Sequence, residues 1–424
     1  MTAHDVVYSF TRVIVLDKSP AFLFTQFGWN KDNMDKAVVA VNDLTVQVNL
    51  FSHLAGSLAI NAFTPGVGSI VDSKLVKSHA KGGDMGNGWL RLNEAGSGPY
   101  IMKLWKDREL LSLERFDKDR HGLAKMKRII IRHVPEASVQ RLLLEKGDID
   151  AAMELTGDQF RPLMGRKDIK LLEWRSAEQI YLGINMFDPI MKNRNMREAM
   201  KHVIDHETLL KTLLKDSWIA HQTFWPAGLW ASYTGMPHTF DLELARSFVV
   251  KAGYGDGVSI KIDAQNSSPK KDIVQHMVEN LKKIGVNAEI LLHDSKTFYP
   301  KYRARKHQLL IAGWAPDFAD PHSNADCFTH NPNNLFEAKN TGKITWRNAW
   351  AAVEETKLTN AAAVETDPNK RYGLYVDLQR RAQDDSSFIF LYQALGVFAV
   401  RSNVNNLVTG LTPDMAYFRI ITKN

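Results

Sequence analysis

IAGWAPDFADPHSNADCF, from Ile311 to Phe328, is the stretch on which the reading of the whole chain turns. Leu309 to Ile311 make a short apolar run that predicts a buried strand. Gly313 then lets the backbone bend, Pro316 fixes φ and removes a donor, and Asp320-Pro321 marks a turn. This spacing sets Trp314 and Asp317 at the end of the strand instead of along its buried face. A flat apolar wall beside one carboxylate suits a ligand amine. A solvated turn next to a core tryptophan would carry the same letters, so the stretch must be weighed with the rest of the chain.

The chain has 424 residues, of which 44% are hydrophobic and 24% charged, enough for two or three domains with self-sufficient cores. It contains no apolar run of about eighteen residues, the length an α-helix needs to span a bilayer. The 54 basic and 47 acidic residues leave +7, spread along the sequence. Two small basic clusters, Arg303-Arg305-Lys306 and Lys125-Lys127-Arg128, lack interleaved aromatics and any nucleic-acid motif, and read as solvated faces. The single cysteine, Cys327, excludes an intramolecular disulfide and a thiolate zinc site. Met1 leads straight into a helical pattern, with Val6, Val7, Phe10 and Val13 on one face, and no export leader is read there.

Further along, Asp17 to Gly28 reads as an irregular segment under an apolar cover, and Ala37 to Leu50 as strands. Gly96-Ser97-Gly98-Pro99 is a natural crossover between structural units. Strands are expected at Tyr100–Trp105, Leu110–Phe116 and Lys127–Val134, the last buried on both faces. With the helix Ala137–Glu145 and a short strand at Asp148–Ala151, that third strand predicts one α/β unit. After the strand Tyr181–Met186, a helix runs from about Arg194 to Ile204, and Asp205 caps a second. Helices and strands then alternate: Asp241–Ala252, Val258–Asp263, Asp272–Ile284, Asn287–Leu292, Phe298–Arg303 and Leu309–Ile311. A parallel or mixed sheet follows from that alternation. Helix Arg371–Asp384 and strand Phe388–Tyr392 close it, and Val397–Arg401 with Met415–Ile421 return the chain to the first part.

Enzyme signatures are missing. His202 and His206 stand four apart, but the acid Glu207 lies outside the pair and Asp205 interrupts the helix, so no metal site is assigned. Gly96-Ser97-Gly98 and Gly66-x-Gly68 lack the spacing of a nucleophile elbow or a dinucleotide loop. No catalytic residue, cofactor or nucleic-acid partner is assigned.

Taken in order, several segments resemble the extracytoplasmic solute-binding proteins of ABC importers, in the family of dipeptide, oligopeptide and nickel binders. They include TAHDVVYSFTRV (Thr2–Val13), AGSGPYIMKLW (Ala95–Trp105), IIIRHVPEASVQRLLLEKGDIDAA (Ile129–Ala152), YLGINM (Tyr181–Met186) and RNMREAMKHVIDHETLL. AGWAPDFADP and DLQRRAQDDSSFIFLYQALGVFAV extend the likeness to nearly the whole chain. The resemblance implies an α/β, two-lobed periplasmic-binding-protein fold, class II, of the large type with an accessory domain. Residues 1–93 would be a remnant of that accessory domain, 94–185 with 393–424 an incomplete first lobe, and 186–392 the second lobe. Family members carry a leader and further first-lobe strands ahead of the position matching Met1, so the sequence reads as shortened or as starting upstream.

The resemblance also assigns roles. Asp317 would hold a ligand's α-amino group and Trp314 would line its side-chain pocket, with Ala315 and Gln265 as further contacts. Tyr181 and Tyr392 match positions facing a cleft between the lobes, and hinge packing is the alternative for both. Asp320 is either a turn former or a contact. Ile311 stands where oligopeptide binders have an arginine, and Ala264–Ser268 offers none where dipeptide binders hold the carboxylate. The expected function is binding of a small peptide or amine-bearing solute for import, by a periplasmic monomer working with ABC permease and ATPase subunits. A cytosolic peptide or amide hydrolase, and a non-functional transporter fragment, are the alternatives.

Overall fold

The computed structural model describes residues 1–153, 155–411 and 416–424. It divides into two compact units, residues 1–172 with 398–424 and residues 173–397. The chain passes between them inside two long strands, Ile169–Ile184 and Phe388–Arg401.

The first unit opens with α1, Ala3–Leu16. Asp5 accepts from the Thr2 amide at 2.6 Å, satisfying an orphan donor at the helix start. The same carboxylate takes the Ser73 amide at 2.8 Å and hydroxyl at 2.6 Å, which fixes α1 to the segment beginning there. Phe10 of α1 packs on Phe24, Trp29 and Phe63 at centroid distances of 4.9, 6.1 and 5.4 Å. Phe24 and Phe27 of the irregular Asp17–Gly28 segment thus serve an aromatic nest at a short helix, Phe22–Thr25, while Phe22 stays exposed.

A hairpin of β1, Val38–Asn42, and β2, Thr45–Val48, follows. Next comes an antiparallel sheet of β3, Tyr100–Lys106, β4, Leu110–Arg115, and β5, Arg128–Arg132. Two expectations fail here. β5 is an edge strand, and its Ile130 and Ile131 remain 56% and 40% exposed, so it is not buried on both faces. Nor do β5, the helix α2 (Ala137–Lys146) and β6 (Ala151–Ala152) build one α/β unit. β6 pairs with Ala399 and Val400, and Leu144 of α2 joins a core with Ala152, Leu163, Ile169 and Ala399. The apolar letters indicated strands but not which sheet each would join.

The strand Ile169–Ile184, β7, enters the second unit. There follow α3, Arg194–His202; α4, His206–Lys211; β8, Trp218–Ala220; α5, Leu242–Lys251; β9, Val258–Gln265; and α6, Lys270–Lys283. Then come β10, Val286–His293; α7, Ser295–Arg303; β11, Leu309–Trp314; α8, His322–Phe328; α9, Val353–Val364; α10, Pro368–Asp384; and β12, Phe388–Arg401. Asp205 caps α4 as expected, accepting from the Thr208 amide at 2.9 Å. The strand order is β10-β9-β11-β7-β12, with β8 on β12. β10 and β11 run parallel to β9, whereas β7 runs antiparallel to β11, so the sheet is mixed.

Side chains alternate across this sheet with period two. Ile180, Leu182, Ile262, Leu309 and Ile311 face one core, with Met196, Met200, Met277 and Leu281 from the helices. Tyr181, Leu310, Ala312, Phe388 and Phe390 face the other, with Phe224, Phe328, Tyr375 and Leu378. Burial on both faces explains the unbroken apolar runs of β11 and β12. Past β12, the pair β13, Val404–Asn405, and β14, Thr422–Lys423, ends the first unit. The expected return segment begins at Met415, which lies outside the described residues. Among the described residues no helix is long and apolar enough to cross a membrane.

Candidate functional site

Three parallel strands of the second unit end on the same edge of the sheet, β9 at Gln265, β10 at His293 and β11 at Trp314. The carboxyl ends of parallel strands are where open α/β sheets present binding groups, because the loops that leave them are free of the ladder. Trp314 closes β11 opposite Gln179 of β7. The strand does not bend at Gly313, as the sequence had suggested. Gly313 pairs in register with Ile180, and its missing side chain leaves room for Lys270, since a Cβ there would come within 3.0 Å of the lysine Cε.

Trp314 is half-buried and fixed from behind. Its indole N–H donates to Asn324 Oδ1 at 3.0 Å, and its ring meets Phe328 edge to face at 5.9 Å. Asn324, fully buried in α8, also donates to the Phe224 carbonyl at 2.6 Å and to Gln179 Oε1 at 3.4 Å. A buried amide satisfied in this way holds one orientation, and the indole with it. Nothing in the sequence pattern marked Asn324 except its place in the quoted stretch.

Asp317 follows Ala315 and Pro316 after the strand end. Its amide donates to Ser323 Oγ at 2.8 Å, which sets the turn. Its carboxylate has no hydrogen bond or ion pair among the described residues. Burial pushes its pKa from 3.8 up to about 6, with a smaller contribution from the negative charge of Asp326. Asp326 itself is held by Lys343 and by His330 Nδ1 at 2.9 Å, and the lysine charge with the His330 hydrogen bond keeps it well below the usual carboxylate range against its burial. The two acids therefore differ in kind. Asp326 is compensated by the protein, and Asp317 is not.

Of the two roles the sequence offered, Asp320 takes that of turn former, its Oδ1 accepting from the His322 amide at 2.9 Å. It is 2% exposed and makes a two-pronged ion pair with Arg371 of α10, at 2.9 and 2.8 Å. Arg371 in turn lies over the rings of Tyr375 and Trp230 at 4.9 and 5.6 Å. This pair anchors the turn carrying Asp317 to the longest helix of the unit, and it joins residues 51 apart in sequence.

The remaining assigned residues are scattered by comparison. Ala315 is half-buried beside Trp314. Gln265 ends β9, half-buried, and donates to Ser295 Oγ at 2.9 Å. Tyr181 is 1% exposed and lies behind the indole wall, its ring 5.2 Å from Phe328; burial raises its phenol pKa strongly. Tyr392 is wholly buried in the opposite core, 5.0 Å from the His206 ring, with its phenol pKa raised likewise. Both tyrosines are packed in buried clusters. His202 Nδ1 meets the Thr239 carbonyl at 2.7 Å, and among the described residues no group of His, Cys, Asp and Glu is placed to hold a metal ion. Cys327 is buried with its thiol pKa raised by that burial.

The family model for bacterial extracellular solute-binding proteins, family 5 Middle, matches residues 1–336. The chain is similar to the probable D,D-dipeptide-binding periplasmic protein DdpA of Escherichia coli K12, 25% identical over 409 residues, covering 96% of this chain and 76% of that one. It is also similar to the glutathione-binding protein GsiB of Salmonella paratyphi A, 23% identical over 385 residues, covering 89% of this chain and 72% of that one. Among solved structures, the periplasmic binding protein DppA of Helicobacter pylori, in complex with the peptide STSA, superposes with a TM-score of 0.81 at 20% identity. That match covers 100% of this chain and 81% of the other, and it establishes the two-lobed α/β fold of class II periplasmic binding proteins. This chain belongs to the bacterial extracellular solute-binding proteins, family 5.

Proposed function

We propose that the chain is the solute-binding component of an ABC importer for peptides or similar small amine-bearing solutes, with Asp317 as the anchor for the ligand's ammonium group. The observation that carries this is the half-buried Asp317 carboxylate, which has no cation at ion-pair distance among the described residues. An unpaired, partly buried carboxylate costs stability, and a bound ammonium ion removes that cost. Trp314 supplies an apolar wall for the adjoining side chain, with Ala315 and Gln265 along the same sheet edge and Tyr181 packed behind. Tyr392 contributes through packing. The relatives' names, which speak of D,D-dipeptide and glutathione, point to the same ligand class.

In this reading the protein acts by binding, not turnover, as a periplasmic monomer that delivers its solute to permease and ATPase subunits. Residues 1–93 correspond to an accessory domain, 94–185 with 393–424 to the first lobe, and 186–392 to the second. Differential scanning fluorimetry against a dipeptide set tests it, because a ligand that binds only the folded state raises the melting temperature. At least one free peptide should raise it by several degrees at millimolar concentration, and Asp317→Ala should abolish the shift. A full shift in the variant removes the anchor, and silence across peptides and simple amines removes the function.

A further inference from the structure

Charge and apolar exposure meet on one sheet of the first unit. Residues 100–133, which build β3, β4 and β5, hold ten basic and five acidic side chains, so +5 of the chain's +7 sits in this short segment. From sequence the excess reads as spread along the chain, and Lys125-Lys127-Arg128 as a solvated face; the fold gathers them at one sheet. No residue of the three strands is buried, although most are apolar. The register fixes which side chains share a face. Leu104, Ser112 and Ile130 form one row across the sheet, with Lys106, Leu110 and Arg132 on one side and Ile101, Glu114 and Arg128 on the other. Lys103, at the irregularity in β3, reaches the same face, its Nζ 3.6 Å from Glu114. Arg128 meets the other oxygen of Glu114 at 3.0 Å, so the one acid in these rows is matched twice. Lys106 has Glu109 of the turn at 3.5 Å, and Arg132 makes no ion pair among the described residues. Between these cations Leu104 is 43% exposed and Ile130 56%.

Bare aliphatic side chains rimmed by charge of one sign mark a surface that meets another. The stems of Lys and Arg lie along apolar surface while their heads reach its polar border. A second copy of the chain is a poor occupant, because it would set the same basic rim against this one. An anionic bilayer is complementary in both respects, with phosphates at the level of the cations and hydrocarbon below them for Leu104 and Ile130. We infer that this face of β3-β4-β5 docks on anionic phospholipid surfaces, with Lys103, Lys106, Arg128 and Arg132 on the headgroups. The inference does not rest on the peptide-binding reading above, since every residue in it belongs to the first unit and Asp317 to the second.

Cosedimentation of the whole chain with lipid vesicles tests it. Each basic side chain near an anionic surface strengthens association about fivefold. Four cations less Glu114 therefore predict about a hundredfold preference for vesicles containing phosphatidylglycerol over vesicles of phosphatidylcholine alone. Salt of about 1 M, at which charges are screened beyond about 3 Å, should release the protein. Lys106→Glu with Arg132→Glu should abolish binding. Ile130→Ser should weaken it severalfold and leave its salt dependence in place. All three side chains are exposed, so the melting temperature should be kept. Lys215→Glu with Lys296→Glu makes the same change in net charge on exposed lysines of the second unit, and should bind as the native chain does. Equal binding to the two kinds of vesicle would overturn the assignment, as would a reversal in the sheet that still binds, or a reversal in the second unit that releases as much. A dimer of the lipid-free protein that the sheet reversal breaks would also overturn it, and would give the face to a second copy.

Discussion

Replacing Asp317 by asparagine should stabilise the unliganded protein at neutral pH while it disables binding, and the size of the effect follows from the site. The acid has pKa 3.8 in the unfolded chain and about 6 in the folded one. The folded state therefore holds the proton more tightly, so stability is greatest below pH 3.8 and is lost as pH rises through 6. Relative to low pH, the deficit is about 1 kcal/mol at pH 4.5 and about 3 kcal/mol at pH 8. Asparagine fits the same space and does not ionise, so the gap between variant and native protein should widen by about 2 kcal/mol between these two pH values. Half-buried His206 and His238 and buried His307 and His322 pull the native protein the other way. Burial lowers each to about 4, so their contribution is lost as pH falls from 6.5. The comparison must therefore be variant against native at each pH, which cancels the histidines. Urea unfolding followed by tryptophan fluorescence is the assay. With a slope of about 2–3 kcal/mol per molar, the gap between the two midpoints should be about 0.7–1 M wider at pH 8 than at pH 4.5. Parallel midpoints at both pH values would show that the carboxylate is well solvated, and the argument for an uncompensated anchor would fail.

Asp320→Asn should destabilise the second unit by about 3–5 kcal/mol, because it strips the carboxylate from a buried guanidinium. Chemical denaturation measures this, and a loss below about 1 kcal/mol would mean the pair is solvated in solution. Gly396→Ala should cost about 1–3 kcal/mol through overpacking, because a Cβ there would come 2.1 Å from the Trp174 ring of the neighbouring strand. A shifted tryptophan emission should accompany the loss, and a neutral result would show that the two strands separate easily. Peptide affinity should fall tenfold for each pH unit below about 6, as protons compete with the ligand ammonium for Asp317. Calorimetry in two buffers checks this, and a flat profile from pH 5 to 8 would contradict it.

Much of the second unit was legible from the letters. Strands buried on both faces, such as Leu309–Trp314, read as unbroken apolar runs, and Asp205 capped its helix as its residue type demands. The first unit was harder. The isoleucines of Ile129–Ile131 were correctly a strand, but their exposure depends on which neighbours the sheet recruits, and sequence does not carry that. The strand Ile169–Ile184 was seen only from Tyr181 because its first half mixes charged and apolar residues. At the site, Trp314 and Asp317 announced themselves by adjacency. Asn324 and Arg371 did not, since their roles are partnerships across tens of residues. Gly313 looked like a bend and proved to be a space, filled by the side chain of Lys270.

The most direct measurement is the carboxyl-carbon NMR titration of Asp317, assigned by comparison with Asp317→Asn. Without ligand the resonance should titrate near 6, and with a saturating free peptide it should stay ionised down to pH 4 or below. Titration near 4 in the free protein, or a midpoint unmoved by peptide, would contradict the claim that this carboxylate waits unpaired for a ligand's ammonium group.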